Sequence, residues 1–112
     1  ITVRTIADVK ACGAVALLEE AIEALSARCE RLYVDFDIDV IDRAQCPGAP
    51  GARPGGMPVD EFFAAARMIG ASPRVAAVDL TEFDPSLDHA DITALTAGRW
   101  FAEVLAGFAE RT

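Results

Sequence analysis

Between Gly13 and Glu30 apolar side chains return at spacings of three and four, as Val15, Leu18, Ile22, Leu25 and Cys29, with Glu19, Glu20 and Glu23 between them. That period predicts an amphipathic helix burying the first set. From Arg31 to Phe36 the period changes to two, with Leu32, Val34 and Phe36 set against Tyr33 and Asp35, which predicts a strand. The opening Ile1-Thr2-Val3-Arg4-Thr5-Ile6 reads as another strand and suggests a cut from something longer. Positions 42–57 hold Pro47, Pro50 and Pro54 with Gly48, Gly51, Gly55 and Gly56, which interrupts helix and sheet alike and predicts a long loop. Loops of that length inside a compact domain are usually functional.

Pro58, Asp60 and Glu61 suit the first turn of a second helix, whose apolar residues Phe62, Phe63, Ala66 and Ile69 carry it to about Gly70. Arg74 to Leu80 contains the run Val75-Ala76-Ala77-Val78, typical of a strand covered on both faces. A last helix from about Asp91 to Glu110 is expected to bury Leu95, Phe101, Val104, Leu105 and Phe108. Strand, helix, strand, helix, strand, helix implies a three-layer α/β/α arrangement with a mostly parallel sheet. Three strands leave two long unpaired edges, so these elements are expected to be about three strands and three helices of a larger domain.

Composition narrows the function. The chain of 112 residues is 53% hydrophobic and 25% charged, with no apolar run long enough to span a bilayer. A net charge of −8, with Lys10 the single lysine and the arginines scattered, offers no basic stripe for phosphates, so neither nucleic acid nor membrane is expected as a partner. Cys12, Cys29 and Cys46 are odd in number and lack metal-type spacing, which suits a reducing, cytoplasmic setting.

The densest chemistry lies in Val34-Asp35-Phe36-Asp37-Ile38-Asp39-Val40-Ile41-Asp42. On a continuous extended strand Asp35, Asp37 and Asp39 would share one face, roughly 6–7 Å apart, each pair repelling by about 2–3 kcal/mol at an effective dielectric of 20. A cation held by hard carboxylate oxygens would offset that repulsion, and magnesium, calcium and manganese all suit such donors. A strand entering a loop can also simply solvate its acids, and Asp42 can cap a turn. Strand carboxyl ends followed by Pro/Gly loops are, however, where open α/β sheets bind ligands.

Phe36-Asp37-Ile38-Asp39-Val40-Ile41-Asp42, then Pro47-Gly48 and Gly55-Gly56-Met57, resembles the signature of the ureohydrolases, the arginase, agmatinase and formimidoylglutamase family. Val78-Asp79-Leu80-Thr81-Glu82-Phe83-Asp84-Pro85 is similar to that family's closing Asp-x-x-Glu-x-Asn/Asp-Pro segment. The resemblance covers the carboxy-terminal half of such a domain. It implies a hydrolase cleaving a linear guanidino or formimidoyl C–N bond with two manganese ions, and a homo-oligomer. It implies that Asp37 bridges the ions, that Asp39 binds one of them, and that Glu82 contacts the planar cationic group of the substrate. No residue of this chain is assigned as the catalytic group.

Two departures stand out, since Asp35 occupies a position where the family usually has serine and Arg43 one where proline is common. Asp35 could orient a ligand or have no role; Arg43 could neutralise neighbouring acids. The family's histidine segment and Asp-x-His-x-Asp ligands are absent, and the one histidine, His89, reads as a polar residue near a helix start. On this reading the chain alone is inactive. The wording of both motifs leans toward agmatinase-like or formimidoylglutamase-like members. A haloacid-dehalogenase-type phosphatase also places Asp-x-Asp after a strand, but it needs a downstream lysine, and Lys10 lies upstream. A truncated, non-catalytic paralogue or assembly lobe is the alternative; the upstream reading frame separates it from the enzyme.

Overall fold

The structure, a computed structural model, describes residues 1–111. It contains helix α1 (Ile6–Cys12), helix α2 (Ala14–Ser26), strand β1 (Leu32–Asp37), helix α3 (Val59–Ala71), strand β2 (Val75–Thr81) and helix α4 (Ile92–Ala109), with short 3-10 turns at Ile38–Val40 and Pro85–Leu87. β1 and β2 pair in parallel, with Asp35 opposite Asp79, Phe36 opposite Leu80 and Asp37 opposite Thr81. The parallel α/β class is as expected. Among the described residues the strand count is two, not three, because residues 1–5 form no strand and the chain enters α1 at Ile6. Thr5 decides this locally: its hydroxyl accepts from Asp8 N–H while its own N–H donates to the Asp8 carboxylate at 2.6 Å, a reciprocal cap that commits the next turn to helix.

The core lies on the Val34/Phe36 face of the sheet. Phe36 meets Phe62 of α3 and Trp100 of α4 edge-on, with ring centroids 5.5 and 5.4 Å apart. Such geometry favours aromatic pairs beyond their area alone. Ile69, Ala65, Ala66 and Val75 close the cluster. α2 adds the partly buried Leu18 and Ile22 and is tied to α3 where Ala14 N–H donates to Glu61 at 2.7 Å. Leu25 and Cys29, expected to be buried on this helix, are exposed; α2 ends at Ser26, which leaves Cys29 outside it.

The opposite face of the sheet is polar and open. Tyr33 hydrogen-bonds Asp79 across the strands, and Thr81 Oγ1 donates to Asp35 at 3.0 Å. Ala76 and Ala77, expected to be covered on both sides, are exposed. α4 also departs from expectation. Its buried positions are Thr93, Thr96, Trp100 and Gly107, whereas Leu95, Phe101, Leu105 and Phe108 are exposed and Val104 is half-buried. Among the described residues, no helix is long and apolar enough to cross a membrane.

Candidate metal and substrate site

β1 ends at Asp37, and the backbone there turns into the 3-10 segment Ile38–Val40 rather than running on extended. Asp37 causes the turn: its Oδ1 accepts the N–H of Asp39 at 2.9 Å, an Asx-type cap. Asp35, Asp37 and Asp39 therefore do not lie on one strand face as expected. Asp35 is exposed and occupied with Thr81, while Asp37 and Asp39 are brought together, half-buried, around the turn.

The Pro/Gly loop then folds back as a packed unit. Ile38, Ile41, Cys46, Ala49 and Ala52 are all fully buried. Ile41 bridges Met57, with Asp42 N–H donating to Met57 O at 2.9 Å and Met57 N–H to Val40 O at 2.7 Å. This closure needs glycine at position 56, where a Cβ would lie 2.7 Å from Asp42 N and 2.8 Å from Ile41 C. Asp42 caps the loop from within, accepting Ala44 N–H at 2.9 Å and Gly55 N–H at 2.7 Å. Those donors, with Gly56 N–H and the nearby Lys10 charge, hold its carboxyl below the ordinary range.

Gly51 completes the surroundings of Asp39. Its N–H donates to Asp39 Oδ1 at 2.8 Å, and a Cβ at this position would fall 2.1 Å from Asp39 Oδ2. Asp37 and Asp39 each have one oxygen held by a backbone amide, and the second accepts no hydrogen bond among the described residues.

Glu82 follows directly on Thr81, the residue paired with Asp37, so the two acidic motifs end at the same edge of the sheet. It is exposed and its backbone is left-handed, φ 66°, which is uncommon for a residue with a Cβ. Gly48 joins the motifs a second way: its carbonyl accepts Asp84 N–H at 2.8 Å and its N–H donates to Thr93 Oγ1 at 2.8 Å. Asp88 anchors the start of α4, accepting the N–H groups of Thr93 at 2.9 Å and Ala94 at 3.0 Å. Burial pushes the Asp88 carboxyl up, but the Thr93 and Ala94 amides, the Thr93 hydroxyl and the His89 amide outweigh it and leave the group below its usual value. His89 is exposed. Sequence reasoning missed Gly51, Asp88 and the stitching role of Gly48; the clearest available signal was a glycine inside a loop that follows paired acids. Among the described residues Arg43 makes no ion pair with an acid, donating instead to loop carbonyls.

The profile of the arginase family matches residues 1–107. The formimidoylglutamase of Bacillus subtilis (strain 168) is 28% identical over 107 residues, 96% of this chain and 34% of that protein. A crystal structure of formimidoylglutamase from that organism superposes with a TM-score of 0.94 at 27% identity, over 99% of this chain and 35% of that one. The agmatinase of Bacillus subtilis (strain 168) is 38% identical over 92 residues, 81% of this chain and 31% of that protein. A formiminoglutamase from Trypanosoma cruzi, solved with Mn2+ at pH 8.5, superposes with a TM-score of 0.85 at 26% identity, over 95% of this chain and 35% of that one. The chain thus spans about a third of the length of the curated relatives it matches.

Proposed function

Because the chain belongs to the arginase family of ureohydrolases, we propose that it is the carboxy-terminal part of a single manganese-dependent hydrolase domain that cleaves a linear guanidino or formimidoyl C–N bond. The observation that carries this reading is the convergence of the two acidic motifs: Asp37 is paired with Thr81, Glu82 comes next, and Gly48 hydrogen-bonds Asp84. In this reading Asp37 and Asp39 are metal ligands and Glu82 binds the cationic planar group of the substrate.

Both aspartates fit a hard divalent ion. They are carboxylates at a strand end, each with one oxygen fixed by an amide and the other without a hydrogen bond, and Gly51 keeps a side chain away from Asp39. Two carboxylates do not make a complete site. Among the described residues there is no group of three or more His, Cys, Asp or Glu able to hold a metal, so further ligands must come from the rest of the domain. When bound, the ions would supply Lewis-acid activation of water. This chain's own part is to fix the two carboxylates by backbone donors and to present Glu82, whose carboxylate can pair with a planar cation through a charge-assisted fork. Formimidoylglutamase and agmatinase among the relatives support a formimidoyl or guanidino substrate of those types.

The test is metal analysis beside steady-state kinetics in the full-length protein, on agmatine, arginine, guanidinobutyrate and formimidoylglutamate. Asp37→Ala should deplete manganese and nearly abolish activity. Asp35→Ser should be mild, since Asp35 is exposed and engages Thr81 alone. Equal damage from both substitutions would place the metal ligands in the wrong register.

A further inference from the structure

The turn at residues 49–52 gives three carbonyls to arginine donors and one amide to Asp39. Arg43 Nη1 donates to Ala49 O at 3.4 Å, Pro50 O at 3.3 Å and Ala52 O at 3.4 Å. Arg53 Nη1 donates to Pro50 O at 3.3 Å and Ala52 O at 2.9 Å. The two residues are joined by Arg43 N–H to Arg53 O at 3.2 Å. Gly51, between the gathered carbonyls, sends its N–H to Asp39. Ala49 and Ala52 are fully buried; Ala52 N–H donates to Ala49 O at 3.2 Å, and the guanidiniums add donors to the Ala49 and Ala52 carbonyls. Neither guanidinium forms an ion pair with an acid among the described residues. Their donors are directed to the loop.

From this arrangement, and resting on the reading of Asp39 as a metal ligand, we propose that Arg43 and Arg53 are positioning residues: a pair of guanidiniums that draws the 49–52 carbonyls together and thereby holds the Gly51 amide on the Asp39 carboxylate. Three carbonyl dipoles converging on one cation repel one another once it is gone, and the turn relaxes by rotating its peptide units. The Gly51 N–H then leaves Asp39, which loses the bond that fixes its oxygens. In each arginine one nitrogen, Nη1, does the gathering, sharing its two N–H donors among the loop carbonyls while the guanidinium stays charged.

The experiment uses the full-length protein, stripped of metal, with Arg43→Met, Arg53→Met and the double substitution. Hydrogen exchange of peptides covering residues 44–57 should speed up by about tenfold or more in the double variant, with α3 and α4 peptides unchanged. Manganese affinity, measured by competition with a chelator, should fall by roughly tenfold, the scale on which loss of an outer partner acts on a metal site. Arg43→Lys should recover part of both effects. Unchanged loop exchange overturns the proposal, as does acceleration spread evenly over all peptides, which would mark a general loss of stability. Faster loop exchange with full manganese affinity also overturns it, provided that Asp39→Ala weakens manganese binding. If Asp39→Ala binds manganese normally, it is the metal reading that fails, and the loop exchange alone then decides whether the guanidiniums hold the turn.

Discussion

Glu82 is the residue whose conformation the sequence least foretold. Holding a residue with a Cβ at φ 66° costs on the order of 1–3 kcal/mol, and such positions persist only where their surroundings enforce them. Here Thr81 is fixed in the sheet against Asp37, and Asp84 N–H is fixed to Gly48 O, so the two residues between must make the sharp exit from β2. The exit leaves Glu82 exposed, one residue beyond the Thr81–Asp37 pair. Glu82→Gln keeps shape and backbone, removes the charge and leaves both aspartates untouched. Manganese content should be unchanged, while kcat/KM on the best substrate should fall by roughly one to two orders of magnitude, the value of about 1.5–3 kcal/mol for a hydrogen bond to a charged partner. Loss of manganese would recast Glu82 as part of the metal site, and full activity would remove support for the cation assignment. The residue types of the candidate site were legible in the sequence because acids at a strand end are a local pattern. What bends Asp39 away from Asp35 was not legible, since period-two reasoning assumes that the strand continues, whereas Asp37 caps a turn with its own side chain.

At the scale of elements, α2, α3 and both later strands were legible from hydrophobic period, and α4 was legible in extent but not in orientation. The sequence places large apolar residues at Leu95, Phe101, Leu105 and Phe108, and reading size as burial selects them. The structure packs the other side, because α3 and α4 approach through glycine. A Cβ at Gly107 would fall 2.1 Å from Arg67 O, and one at Gly70 would fall 2.3 Å from Val104 O. Close backbone approach puts Gly107 inside that seam, while Thr93 packs against Gly48 of the loop and Trp100 reaches the core. Gly107→Ala should therefore destabilise by about 1–3 kcal/mol, the usual cost of forcing atoms into a packed contact. Denaturant midpoints of the full-length wild-type and Gly107→Ala proteins make the check, and an unchanged midpoint would mean that α4 is not seated as described. α1 was missed for a different reason: the alternation of residues 1–6 resembles a strand, but the Thr5–Asp8 cap outweighs it.

On the scale of the whole molecule, the described residues build a two-stranded sheet with helices over the Val34/Phe36 face, while the other face keeps Tyr33 63% exposed. Two strands are below what a sheet normally needs to stand alone. α4 also leaves Leu95, Phe101, Leu105 and Phe108 exposed at 71%, 57%, 51% and 60%, an apolar surface that a self-contained domain of this size would cover. Both features accord with a chain that spans about a third of its relatives, and they locate where the remainder of the domain is expected to add strands and cover α4. The same incompleteness governs the chemistry. On the proposed reading Asp37 and Asp39 supply two carboxylates, and no larger group of metal-binding side chains exists among the described residues. A metal site reaches its affinity only with its full set of ligands and their supporting hydrogen bonds. The 112-residue polypeptide expressed by itself should therefore bind manganese weakly and hydrolyse neither guanidino nor formimidoyl substrates, whereas the full-length protein should bind it tightly and hydrolyse one of the two classes. Calorimetric titration of the two proteins side by side makes the comparison. Tight binding of two manganese ions by the 112-residue chain alone would show that these residues hold a complete site, and would overturn the assignment of the remaining ligands to the rest of the domain.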